Sequence, residues 1–147
     1  MNPNSETIIR SVETDQELQQ MLDVRWFVLR KPLGKEKGTE QDEYEQESFH
    51  ALAINHNRII GCARLRTVSA ILGEIGFVAV LPEFQHQGIG RELMLKLIEQ
   101  ARTVNLQEIR LKSRYYCFEF YQQLGFIQSG ELFDFLCILH VPMLLKL

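Results

Sequence analysis

The 147-residue sequence predicts a mixed α/β fold, a largely antiparallel twisted sheet flanked by helices. Three observations predict it: a set of β-rich runs separated by turn residues over 49–81, a strongly amphipathic helical stretch over 88–104 directly after them, and alternating strand and helix signals to the end of the chain. No internal repeat and no low-complexity linker divides the sequence. Residues 1–147 are therefore expected to form a single domain, of a size that buries roughly 68–70% of its unfolded surface.

The elements follow in order. Thr7–Glu13 reads as a short strand, and Thr14 with Glu17 three residues later is a capping-box signal. Leu18, Met21, Leu22, Arg25, Val28 and Leu29 then recur at helical spacing until Pro32 and Gly34, which places a helix at 15–30. Lys35–Glu47 is polar, with six carboxylates against two lysines, and is expected to be a solvated loop containing a short helix. Its alternative reading is a patch that attracts a cationic substrate. Phe49–Ile54 and Arg58–Val68 are strands around the turn-like Asn55-His56-Asn57, and Gly73–Leu81 is a third. Leu93, Leu97, Ala101 and Val104, with Met94 and Ile98 beside them, give the 88–104 helix a face broad enough to lie on a sheet. Ile109–Ser113 is a strand, Tyr115–Leu124 a short aromatic helix closed by Gly125, and Phe126–Ser129 and Phe133–Leu145 the last strands.

Composition narrows the function. A hydrophobic fraction of 46%, a charged fraction of 24% and a net charge of -3 are those of an ordinary globular protein and give no electrostatic reason for nucleic-acid binding. Cys62, Cys117 and Cys137 are odd in number and widely spaced, which suggests neither a disulfide framework nor a zinc site and fits a reducing cytoplasm. His50, His56, His86 and His140 lack metal-ligand spacing, so no metal is expected. The start MNPNSETIIR has no leader pattern, and no run of about 18 apolar residues occurs; no membrane association is expected.

The chemically informative stretch is Glu74–Leu93, a strand that runs through a glycine turn into a helix. The first amides of a helix lack internal acceptors and carry the positive end of its dipole, while Gly88 and Gly90 let an anion approach the main chain. The turn has no Gly-Lys-Ser/Thr ending, and Leu93 occupies the third-glycine position of the dinucleotide fingerprint, which disfavours kinases and dehydrogenases. No serine sits in a nucleophile elbow and no cysteine has a recognisable base partner, so no covalent acyl-enzyme is indicated.

Gln85-His86-Gln87-Gly88-Ile89-Gly90 fits Q/R-x-x-G-x-G/A, and Cys117–Phe126 is similar to A-x-x-F-Y-x-x-x-G-F; on both motifs the chain resembles the GNAT superfamily of N-acetyltransferases over nearly its whole length. Val24–Ala51 also looks like small members of that superfamily. The resemblance implies acetyl-CoA as cosubstrate and direct transfer of its acetyl group to a primary amine, the acceptor being a small molecule or a peptide. By position it implies a pyrophosphate cradle at Gln85, His86, Gln87, Gly88, Ile89, Gly90 and Arg91, and pairing of the cofactor arm with the main chain of Val78, Ala79 and Val80. Arg114 stands where many members have an asparagine and is a candidate cofactor or substrate contact. Cys117 replaces a small residue, a packing change.

The chemistry requires two proton transfers. An amine of lysine type has a pKa near 10.4, so only about one molecule in two thousand is neutral at pH 7 and a base must generate the nucleophile. The departing thiolate then needs an acid. The resemblance places Glu74 at the base position of the histone-acetylating branch and Tyr121 at the thiolate-protonating position. A noncatalytic acetyl-CoA sensor and a longer acyl donor are the alternatives, and a homodimer is left open.

Overall fold

The computed structural model describes residues 6–147; residues 1–5, part of the stretch read above for a leader, lie outside that range. The elements are β1 (Thr7–Ser11), α1 (Asp15–Leu29), β2 (Phe49–Asn55), β3 (Arg58–Thr67), β4 (Leu72–Val80), α2 (Ile89–Thr103), β5 (Glu108–Arg114), α3 (Phe118–Gln123), β6 (Ile127–Gln128), β7 (Phe133–Phe135) and β8 (Ile138–Lys146). They form one sheet in the order β1-β2-β3-β4-β5-β8-β6, with β7 paired to β8. Every pairing is antiparallel except β4 with β5. The parallel pair is possible because α2 supplies the crossover between the two strands.

Two helices cover opposite faces. On one, Leu93, Met94, Leu97, Ile98 and Ala101 of α2 pack against Ala51, Ala53, Ile60 and Ile75 of the sheet. On the other, Met21 and Leu22 of α1 pack against Leu52, Cys62 and Ala79. Each fully buried aliphatic side chain contributes about 1.5–3 kcal/mol, so the two layers hold the central strands firmly. Helix α1 starts where the sequence predicts: Thr14 Oγ1 accepts from Glu17 N–H at 3.1 Å, and Glu17 Oε1 accepts from Glu13 N–H at 2.9 Å while pairing with Arg10.

The structure corrects three expectations. Residues 35–48 hold no helix but a succession of turns; most of the segment is exposed, as expected of a solvated loop, but Glu40 and Glu45 are buried. Arg25 Nη1 donates to Glu40 C=O at 3.0 Å and to Glu45 at 2.9 Å, Arg64 grips Asp42 through both terminal nitrogens and reaches Glu45 at 3.0 Å, and Trp26 Nε1 donates to Lys35 C=O. Asp42 and Glu45 are thus engaged by buried arginines, and the segment is a strap clamped over α1 and β3. Phe133–Leu145 is not one strand but a hairpin, because Leu136 (φ 55°) and Cys137 (φ 61°) turn the chain in the left-handed region without a glycine to signal it. Finally, Phe126–Ser129 shrinks to the two-residue β6, and a 3₁₀ turn at Tyr115–Cys117 precedes α3.

Candidate active site

The glycine turn has the expected form. Gly88 adopts φ 84° and serves as the N-cap of α2 without any side-chain cap. The first helical bond runs from Glu92 N–H to Gly88 C=O at 3.1 Å, which leaves the amides of Ile89, Gly90 and Arg91 ahead of it, at the positive end of the helix. Gln85 and Gln87 brace the turn from behind: Gln85 Nε2 donates to Val80 C=O at 2.9 Å and Gln87 Nε2 to Glu83 C=O at 3.4 Å, while Gln87 Oε1 is buried with no partner. His86 takes φ 62°, completing the tight entry to the helix. A Cβ on Gly90 would lie 3.4 Å from the Phe120 ring of α3, so the turn and the third helix are in direct contact.

Upstream of the turn, β4 parts from β5. Their parallel register runs from Leu72↔Glu108 to Ile75↔Leu111 and stops. At the same level β4 is bulged against β3, with Phe77 at φ 54°. Leu81 N–H bonds Ile60 C=O on the β3 side, so by strand alternation Val78 and Val80 turn their N–H and C=O groups toward the opening. The Val80 carbonyl is already engaged by Gln85. Val78 therefore offers a donor and an acceptor along a cleft between β4 and β5 that runs to the uncapped turn. An elongated ligand with amide groups and a terminal pyrophosphate fits both features: the open strand edge takes the amides and the helix start takes the anion.

The two candidate catalytic side chains lie on opposite faces of the sheet. Tyr121 belongs to the α2 side, packed edge-on against Phe120 (4.9 Å between centroids) and Phe126 (6.1 Å). Burial pushes its phenol well above the ordinary value, Cys117 adds to this and the Arg114 charge opposes it, so the hydroxyl stays protonated. Glu74 is on the α1 side, where Arg110 Nε donates to Oε2 at 2.8 Å and Arg66 Nη1 to Oε1 at 3.4 Å. Arg114 stands at the end of β5. Its guanidinium bonds Leu29 C=O at the end of α1 (3.1 Å) and the Tyr116 hydroxyl (2.9 Å).

One group of residues carried no functional signal in the sequence. Phe77, held in strained backbone at the bulge, has its ring covered by Arg25 at 4.2 Å, Arg64 at 4.7 Å and Arg30 at 5.8 Å from the centroid. By sequence spacing Arg25 falls in the apolar stripe of α1, and an arginine at such a core-facing position is the available clue. Cys62, fully buried on this face, is pushed up to about 11 by burial and is a packing residue rather than a nucleophile. Among the described residues no cluster of histidine, cysteine and acidic side chains is arranged to hold a metal ion, and no helix is long and apolar enough to cross a membrane.

A family model described as "Acetyltransferase (GNAT) domain" matches residues 14–147. The chain belongs to the GNAT family of acetyltransferases. The histone acetyltransferase TAP1 of Glycine max is 33% identical over 109 residues, which cover 69% of this GNAT chain and 47% of the relative. Curated relatives are matched over 47–66% of their own length. Among solved structures, Escherichia coli ElaA superposes with a TM-score of 0.83 at 19% identity, covering 95% of this chain and 99% of that one. A GNAT family acetyltransferase from Elizabethkingia anophelis with acetyl-CoA bound gives 0.71 at 18% identity, covering 97% and 99%. At those identities the likeness is one of fold, and it confirms the open, largely antiparallel sheet with flanking helices.

Proposed function

We propose that this GNAT protein transfers an acetyl group from acetyl-CoA to a primary amine, by direct attack within a ternary complex. The observation that carries the proposal is the continuity of the cleft: β4 leaves β5 after Ile75↔Leu111, presents Val78 to the gap, and runs into the uncapped amides of Ile89, Gly90 and Arg91. Acetyl-CoA, when bound, supplies an activated thioester. The chain's own groups then divide the work. The Gln85–Arg91 turn holds the pyrophosphate through main-chain donors, with Gln85 fixing the turn to the end of β4. Val78 orients the arm so that its end approaches the Phe77 bulge. Tyr121, kept protonated by its aromatic surroundings, donates the proton that the departing sulfur requires. Glu74, on the other face, takes the proton lost by the amine, directly or through water; Arg110 and Arg66 hold its carboxylate in place.

The experiment is a calorimetric titration with acetyl-CoA followed by release of free thiol across a library of primary amines. Binding of acetyl-CoA together with amine-dependent thiol release is the expected result. A folded protein that does not bind acetyl-CoA would remove the proposal.

A further inference from the structure

On the α1 face of the sheet, beyond the helix itself, strand β5 projects Arg110, Lys112 and Arg114 at alternate positions. Helix α1 packs on β3 and β4, Arg114 reaches the Leu29 carbonyl at its end, and on the β8 part of the floor that β5 and β8 form on this side His140 is buried while Pro142 and Leu144 are half-buried. Lys112 is exposed. The charge balance on this floor is uneven. Glu74 neutralises Arg110 and shares itself with Arg66. Lys112 and Arg114 take part in no ion pair among the described residues, and the hydrogen-bond partners of Arg114 are a carbonyl and a phenol, both neutral. The nearest strand partners of these two residues are Pro142 and His140, which bring no negative charge. Asp134 does not compensate either, because Phe133 and Phe135 are the β7 residues that pack on His140, and alternation turns Asp134 to the other face.

Resting on the transferase reading above, we propose that the acceptor carries an oxyanion, carboxylate or phosphate, besides its amine, and that Lys112 and Arg114 bind that oxyanion. The geometry places the two ends of such a molecule. Its amine meets Glu74, which is in register with Arg110, and its oxyanion meets Lys112, one strand repeat or about 7 Å further along β5. That separation suits an amine and an oxyanion joined by a flexible chain. The same charge distribution disfavours a polycation, and of the six carboxylates of the 36–47 segment Asp42 and Glu45 are engaged by Arg64 and Arg25. Arg114 adds specificity because its guanidinium is already immobilised by two hydrogen bonds and loses little freedom on binding an anion.

The test uses the full chain, saturated with CoA, titrated calorimetrically with matched amines: lysine against cadaverine and ornithine against putrescine, which differ by a carboxylate, and phosphoethanolamine against ethanolamine, which differ by a phosphate. Thiol release from acetyl-CoA is measured with the same pairs. The carboxylate pairs or the phosphate pair should favour the oxyanion-bearing member by tenfold or more in affinity and in kcat/KM, which also names the oxyanion. Lys112→Glu should abolish the preference through acceptor KM, and Lys112→Arg should retain it. Equal affinity within every pair, or a preference that survives Lys112→Glu, overturns the proposal. Because acetyl-CoA binding is measured separately, a protein that binds acetyl-CoA and ignores the oxyanion sinks only this inference.

Discussion

The Arg25 guanidinium lies 4.2 Å from the centroid of the Phe77 ring, and its Nε and Nη2 donors have no hydrogen-bond acceptor among the described residues. Arg64 repeats the pattern at 4.7 Å, with its Nε also unpartnered. The ring's electron-rich face takes the place of the missing acceptors, and the two cations in turn cage a residue whose φ of 54° would otherwise relax. The bulge that opens β4 toward the cleft is therefore supported from the α1 side by charge. Replacing Arg25 by Ala should cost about 3–5 kcal/mol, since it removes one partner of a fully buried ion pair. Phe77→Leu keeps an apolar side chain but leaves buried donors without a π face, at about 1–3 kcal/mol. Urea denaturation measures both. If the cage matters for the cleft, both variants should also bind acetyl-CoA more weakly while remaining folded.

Neutralising Glu40, Asp42 and Glu43 together should raise KM for cationic amines if the acidic segment attracts a cationic acceptor. The structure predicts a different outcome. Asp42 holds Arg64, and Glu40 accepts from Gly38 N–H through its side chain while its carbonyl accepts from Arg25. The triple amide variant should lose stability and show no selective rise in KM for cationic amines. Denaturation midpoints and amine kinetics, measured side by side, separate the two outcomes.

How much of this was legible beforehand differs from element to element. Helix α2, its glycine turn and the strands around 49–81 were readable because each rests on local signals: a broad apolar face, a missing β-carbon, alternation. The capped start of α1 was readable for the same reason. The strap was not, because what distinguishes Asp42 and Glu45 from solvated carboxylates is a pair of arginines 22 and 20 residues away in the chain. The Leu136–Cys137 turn was hidden because it uses no turn-forming residue. Glu74 and Tyr121 could be nominated from motif position, but that they fall on opposite faces of the sheet follows from strand alternation and helix packing that neither motif contains.

Acid should weaken the fold through two carboxylates with named partners. Hydrogen bonds from Arg10 and Glu13 N–H lower Glu17 from 4.5 to about 2, and although burial raises Asp42, the Arg64 hydrogen bond, the Tyr44 N–H and the nearby arginine charges together hold it below its ordinary value. Both carboxylates are held more tightly as anions in the folded chain than in the unfolded one. Their stabilisation is therefore complete above the unfolded pKa, near 4–4.5, and is lost as pH falls through the lower folded values. Urea midpoints should decline from pH 5 toward pH 2. Glu17→Gln should flatten part of that decline, and an unchanged slope would show that Glu17 is not a source of it.

The two glycines of the turn should fail differently. Gly88, at φ 84°, occupies a conformation that a β-carbon strains, so Gly88→Val confounds folding with binding. Gly90 sits within the first turn of α2 with ordinary backbone, where the added β-carbon meets only the edge of Phe120 at 3.4 Å. Gly90→Val is thus the cleaner variant: a recognisable fold by circular dichroism, with acetyl-CoA affinity reduced by tenfold or more in calorimetry. Unchanged affinity would mean that the anion is held elsewhere.

Tyr121 and Glu74 should have separable effects if, as proposed, one protonates sulfur on the α2 side and the other receives a proton on the α1 side. Tyr121→Phe removes a single hydroxyl from a cluster of rings that includes Phe120 and Phe126, so acetyl-CoA affinity should change little. Turnover should fall by 10²–10⁴, equivalent to roughly 3–5 kcal/mol of transition-state stabilisation. Since burial keeps the phenol protonated, that defect should be constant from pH 6 to pH 9. Glu74→Gln keeps the shape but removes both the base and the counter-charge of Arg110. Its rate should fall most near neutral pH and recover as rising pH supplies neutral amine without assistance. The Arg110 contact provides the control: Arg110→Gln frees one oxygen of Glu74 but leaves a carboxylate, so it should not reproduce the pH-dependent loss. Single-turnover kinetics are the right measurement, because product release could mask either effect. Wild-type turnover in Tyr121→Phe would exclude its acid role, and a Glu74→Gln defect that ignores pH would leave Glu74 as the ionic link between Arg66 and Arg110 and nothing more.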